Sequence, residues 1–191
     1  MAILFQQAAR GGMVVRKMLF TVMILASLLM MTVAQAQPSH PEWEQVSGAD
    51  VRRIVSGIIS YSHWPDLNQP PVLCVYSSAH FLTALTAPAG VQEKVVFNTL
   101  IIKDNQELFA SECDAVYFGE ESVAEQINAA SYAIGHPLMT IAEQSPRCLE
   151  GSAFCLVFDT HTVGFAINME ALSRTGVRVN PDVLMLARER N

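Results

Sequence analysis

The chain has no GxSxG elbow, no GxxxxGK loop, no HExxH pair and no CxxC. The local signatures of serine hydrolases, P-loop nucleotide enzymes, zinc proteases and thioredoxin-type exchange are therefore missing. The five histidines, His40, His63, His80, His136 and His161, show no metal-ligand spacing. Basic residues are few, with 12 Lys and Arg against 18 Asp and Glu and a net charge of −6. That balance speaks against nucleic acid and against adsorption to an anionic membrane. No repeat, low-complexity tract or long linker divides the chain, and its nearest glycine cluster, Gly11-Gly12, lies close to the start. No catalytic residue, metal or cofactor is assigned on these grounds, and the protein is not expected to be an enzyme.

Acids are also missing from the first 36 residues, which carry only Arg10, Arg16 and Lys17. Met18 to Val33 is an uncharged run of sixteen residues, followed by Ala34-Gln35-Ala36. A positive n-region, an apolar h-region and a small-x-small site describe a secretory signal peptide, with cleavage expected after Ala36. The alternative, a permanent membrane anchor, needs a slightly longer apolar run. The cleavage site has no cysteine, which argues against a lipoprotein. Residues 1–36 are thus assigned to the signal and 37–191 to one exported domain. That domain has nine bases against eighteen acids, a net charge of −9. About 155 residues are enough for a single core.

All four cysteines, Cys74, Cys113, Cys148 and Cys155, lie in the exported part. An even number in an oxidising space implies two disulfides, and sequence allows three connectivities. The short separation favours Cys148–Cys155, which leaves Cys74–Cys113. Cys74 sits within the strand-like PPVLCVYS and Cys113 opens CDAVYFG, so neighbouring strands would bring them close. The stretch RCLEGSAFCLVFD, residues 147–159, organises the chain: Gly151 permits a turn, and an apolar strand from Ala153 to Phe158 contains Cys155. Closing this loop of about eight residues stabilises by roughly 2–3 kcal/mol in the chain-entropy model. Two inert staples are one interpretation; a bond that reports redox state or holds a binding surface is the other.

Val51, Ile54, Val55, Ile58 and Ile59 recur at helical spacing, so a helix capped by Ser47 or Asp50 is predicted to run to about His63, before Pro65. Trp64 is read as a packing residue rather than a ligand-stacking one. Strands are predicted at 72–76, 94–102, 113–118, 138–142, 153–158 and 163–168. Helices are predicted at 79–86, 105–111, 122–132, 169–175 and 182–190. Glu120 and Glu121 are read as helix-dipole partners rather than a catalytic dyad. Strands alternating with helices, then a late turn at Asp159-Thr160-His161-Thr162, give an α/β class: a single three-layer domain with a mixed, mostly parallel sheet flanked by helices, and a C-terminal β-hairpin and helices.

Several segments carry a resemblance: VSGIISYSHWP (55–65), PVLCVYSS (71–78), YFGEES (117–122), IAEQ (141–144), EGSAFCLV (150–157) and FAINMEALSRTGVRVNPDVLMLAR (165–188). Together they resemble the YfiR family of periplasmic regulators, with the enterobacterial members closest. The resemblance implies a repressor that binds the periplasmic domain of a YfiN-type inner-membrane diguanylate cyclase. A YfiB-type outer-membrane lipoprotein would sequester it, and a homodimer is allowed. Cyclic di-GMP, exopolysaccharide and biofilm would fall when the repressor is free. The clamp at Cys148 and Cys155 is then expected to hold its loop and Phe154 in a binding-competent shape. Leu172 and Trp64 are further contact candidates, and a core position is the alternative for all three. Two other readings stay open: a periplasmic small-ligand sensor without a cyclase partner, and a thiol-active enzyme.

Overall fold

The computed structural model describes residues 45–88, 95–132, 135–145 and 147–187. The expected signal, residues 1–36, lies outside these. The first helix, α1 (Gly48–Ser60), starts where predicted: the Ser47 hydroxyl oxygen accepts the Asp50 N–H, and Asp50 sits in the first turn. It buries Val51, Ile54, Val55, Ile58 and Ile59. It stops three residues short of His63 because the chain there joins a small sheet instead. Strand β1 (Ser62–His63) pairs antiparallel with a distant two-residue strand, Arg178–Val179, and the Asn180 N–H donates to the Tyr61 carbonyl.

Strand β2 (Val72–Tyr76) leads to α2 (Leu82–Thr86), then β3 (Asn98–Ile102) and α3 (Asn105–Ala110). Strand β4 (Ala115–Phe118), helix α4 (Val123–Tyr132) and strand β5 (Met139–Ala142) follow. The hairpin β6 (Phe154–Asp159) and β7 (Thr162–Ile167) closes the sheet, and α5 (Met169–Arg174), β8 (Arg178–Val179) and a 3-10 helix (Pro181–Ala187) complete the order. Helix α4 begins with a capping box. The Ser122 Oγ accepts the Glu125 N–H, and the Glu125 carboxylate accepts the Ser122 N–H. The Ser122 hydroxyl also donates to the Glu125 carboxylate, and that bond first, then the one from the Ser122 N–H, lowers the Glu125 pKa.

The main sheet has the order β3-β2-β4-β5-β6-β7, parallel throughout except for the β6–β7 hairpin. The chain steps outward from β2 to β3 and returns to β4 on the other side of β2, so the strand order reverses there. Side chains alternate across the sheet and so build two cores. On one face Leu73, Val75, Tyr117, Ile141, Phe154 and Leu156 meet the apolar stripe of α1 and Leu85 of α2. On the other, Cys74, Tyr76, Val116, Phe118 and Ala142 meet Leu108 and the partly buried Phe109 of α3 and Ala129 of α4. The result is the three-layer arrangement expected from the sequence.

Further elements differ from expectation: β3 starts at Asn98, with 95–97 outside the strand. Helix α2 begins at Leu82 rather than Ala79, for a reason given below. The last helix is 3-10 over Pro181–Ala187 rather than α-helical, and the rest of its expected span, 188–190, lies outside the described residues. Three residues per turn put Val183 and Leu186 on one face, and both pack on the larger core. At the amino end of the sheet Asp114 is a junction. Its carbonyl accepts the Trp64 Nε1–H and the Met139 N–H, and its carboxylate accepts the Val72 N–H.

The β2 and β4 loops touch at Gly119, where a Cβ would lie 2.5 Å from backbone atoms of Ala79. Gly119→Ala should therefore destabilise the fold by about 1–3 kcal/mol. A lower urea midpoint with an unchanged m-value checks this; an unchanged midpoint would contradict the close approach.

Candidate functional site: the clamped loop and the carboxyl ends of the parallel strands

Both disulfides are formed, Cys74–Cys113 and Cys148–Cys155, and no cysteine is free. Cys74 lies mid-β2 and Cys113 just ahead of β4, its parallel neighbour, with the two Cα atoms 5.8 Å apart. The second bridge ties β6 to the loop before it over seven positions. That loop is fixed twice more. Gly151, at φ +81°, lies against Gln126 of α4, where a Cβ would come within 2.6 Å of the Gln126 Oε1. The Ser152 hydroxyl donates to the same oxygen at 2.9 Å, and Gln126 Nε2 donates to the Glu121 carbonyl at 3.0 Å. Cys148 also has positive φ, at +46°.

Of the two positions expected for Phe154, contact surface or core, it takes the core. It is fully buried and packs on Phe165, with ring centroids 5.6 Å apart. The reason is the two-residue period of the strand. Cys155 pairs with Ala166 across the hairpin and faces the thin side of the sheet, so its neighbour Phe154 faces the opposite side. The clamp and Phe154 cannot share one surface. Trp64 is also buried, with its indole N–H committed to Asp114. Leu172 is half-buried on α5 and packs against the larger core. The structure does not bring these three together as an exposed patch. What the clamp does expose is Leu149, at 69%.

In open α/β sheets the crevice at the carboxyl ends of the strands, where their order reverses, is the usual ligand position. Here that crevice is filled by the protein's own carboxylates. The Ser78 hydroxyl donates to Glu121 Oε1 at 2.6 Å, and the Gly119 N–H to Glu121 Oε2 at 2.8 Å. Glu143, directly after β5 and 1% exposed, accepts the backbone N–H of His80 at 2.8 Å and of Phe81 at 3.1 Å. Glu143 therefore caps the turn before α2 from 62 residues away. The Ser78 hydroxyl, which could cap a helix starting at Ala79, is engaged with Glu121 instead. This is why α2 starts late.

Burial pushes the Glu143 pKa up to about 7, while the two backbone N–H groups favour the charged form and act against burial. The Tyr117 hydroxyl is buried nearby with no hydrogen bond of acceptable geometry. Burial first, then the Glu143 charge, raises the Tyr117 pKa well above its ordinary value. Among the described residues no group of three or more His, Cys, Asp or Glu is placed to hold a metal ion. Glu143, Gln126 and Leu149 were not singled out from sequence. A charge placed immediately after the apolar strand at 139–142 is the one local signal that pointed to Glu143.

The fold and its two bridges define a class: an α/β domain with a mostly parallel sheet, fastened by sulfur on one side, whose switch-point crevice is filled from within. The chain belongs to the YfiR/HmsC-like family, whose model matches residues 50–188. The resemblance seen in the sequence is thereby borne out. Among solved structures, the substrate-bound BacF structure from Bacillus subtilis is similar at 11% identity, over 68% of this chain and 41% of that one, with a TM-score of 0.38. The chain thus covers about two fifths of that protein's length, and a likeness so slight bears on neither fold nor function.

Glu143 gives a pH test. Its folded pKa is raised, from an ordinary 4.5 to about 7. Its contribution is thus fully present below about pH 4.5 and is lost as pH rises through 7, because the unfolded chain releases the proton first. Between those values the wild-type urea stability should gain a downward component of at most about 1.4 kcal/mol per pH unit. Glu143→Gln should remove that component. Parallel pH profiles for the two proteins would contradict the raised pKa.

Proposed function

We propose that the protein is a periplasmic negative regulator that binds the periplasmic domain of a YfiN-type inner-membrane diguanylate cyclase and holds down cyclic di-GMP. Membership of the YfiR/HmsC-like family over residues 50–188 carries this proposal, since that membership is consistent with a periplasmic regulator of diguanylate cyclase signalling. Residues 1–36 would be removed on export and 37–191 would form the working domain. Four bonded cysteines fit an oxidising compartment. An exported protein cannot reach cytoplasmic GTP, so it acts through a partner that crosses the membrane. A YfiB-type outer-membrane lipoprotein would compete for it and release the cyclase, raising exopolysaccharide and biofilm.

Repression requires the regulator to bind the inactive arrangement of the cyclase more tightly than the active one, because equal affinity shifts no population. A tenfold preference corresponds to about 1.4 kcal/mol. The clamp supplies rigidity for such discrimination, and its redox state would tune it.

A small-ligand sensor is the second reading, and a groove of about 580 Å³ between α1 and β3 favours it. Arg52 lines that groove but donates to the Ala84 and Leu85 carbonyls at 2.9 and 2.8 Å. A metabolite retained through purification would support this alternative.

Deleting the gene should raise cyclic di-GMP, and a tagged copy should bring down a membrane protein with a GGDEF output domain. A flat pool in the deletion strain sinks the proposal. Replacing Cys148 and Cys155 together by alanine should cost about 2.5 kcal/mol of stability in the chain-entropy model. It should also weaken repression at equal protein level. Full repression by that variant would show the clamp to be dispensable.

A further inference from the structure

We propose that the apex of the clamped loop and the outer face of α4 form the docking surface for the cyclase, and that the segment of the cyclase seated there is apolar and basic. The inference rests on the regulatory function proposed above. Leu149 is 69% exposed at the loop apex, although the residues around it are tightly fixed. Cys148 before it is buried and bonded to Cys155; Gly151 and Ser152 after it are held against Gln126. A loop this constrained cannot fold its leucine inward. Leu149 and Val123 of α4 line one shallow groove of about 300 Å³. Ile127, one helical turn beyond Val123, is 50% exposed and extends the apolar strip.

Charge sets the partner's chemistry. Glu150 and Arg147 line the groove; Glu120, just before α4, and Glu125, in its first turn, are both exposed. On the groove wall Glu150 and Arg147 balance, and the exposed Glu120 and Glu125 on either side of Val123 in sequence tip the surrounding surface toward negative charge. A complementary segment presents a large aliphatic or aromatic side chain to Leu149 and Val123, with Lys or Arg beside it. Apolar contact supplies the burial, and the opposite charges steer the encounter and disfavour acidic competitors.

The test uses the full-length exported protein in cells that contain the cyclase. Leu149→Lys places a like charge against a basic segment and removes the apolar knob. The position is exposed, so the urea midpoint and both disulfides should be unchanged. Co-purification of the cyclase should fall at least tenfold and cyclic di-GMP should approach the deletion level. Leu149→Met should restore both. Ile101→Lys, at the other edge of the sheet, should behave as wild type. Capture by the wild type should weaken as salt is raised from about 0.05 to 0.5 M.

Repression and capture retained by a folded Leu149→Lys variant would overturn the docking surface and leave the regulatory function standing. A photo-crosslinking residue at 149 that joins only a second copy of the chain would also overturn it. A deletion strain with a flat cyclic di-GMP pool would overturn both.

Discussion

The sheet is covered unequally, and the sulfur chemistry answers that inequality. One face receives a thirteen-residue helix with five buried aliphatic side chains, Val51, Ile54, Val55, Ile58 and Ile59. The other receives helices of six and ten residues whose contribution to the buried cluster is Leu108 and Ala129. Apolar burial near 25 cal/mol per Å² favours the first face heavily. Cys74 and Cys155 both point to the second. A bridge spanning 39 positions restricts the unfolded chain by about 4 kcal/mol in the entropic model, and one spanning seven by about 2.5. Covalent bonds thus strengthen the side where packing is thin, and an oxidising space favours their closure.

The carboxyl ends of the strands show a second compensation. Open parallel sheets leave a crevice there, and many proteins of this class fill it with a ligand. In this chain Glu121 and Glu143 fill it, and the backbone N–H groups of Gly119, His80 and Phe81 donate to them. The site is thereby converted from a place of binding to a place of cohesion. A buried carboxylate with a raised pKa often marks catalysis. Here it satisfies the otherwise unpaired donors of a short helix, which is a structural role.

Much of the architecture was legible because it follows from local pattern. The stripe at 51, 54, 55, 58 and 59 fixed a helix, and apolar runs separated by Ser, Gly and Pro placed the strands. The Cys148–Cys155 pairing followed from its short separation, and Cys74–Cys113 from strand neighbours. What was not legible depended on partners far along the chain. The two-residue strands Ser62–His63 and Arg178–Val179 are too short to show a period, and only their mutual pairing defines them. The start of α2 is set by Glu143, which no window around Ser77 contains. The place of Phe154 was not legible for a different reason. Adjacency to Cys155 suggested a shared surface, but neighbours on a strand face opposite ways. Leu149 lay inside the same clamped loop and could have been singled out by its place between Cys148 and the turn at Gly151.

Asp114 adds a redundancy. It follows Cys113 directly, and its carbonyl and carboxylate accept three N–H groups, from Trp64, Met139 and Val72. The same junction is therefore tied once by electrons shared between sulfurs and again by dipoles that no reductant touches. Opening the Cys74–Cys113 bond would slacken the join without unthreading it, so that end of the molecule is buffered against swings in its surroundings. The clamped loop is tied by other means, the Cys148 N–H donating to the Ser145 carbonyl, the Ala153 N–H to the Thr140 hydroxyl and the Ser152 hydroxyl to Gln126, so the two bridges are backed by different bonds.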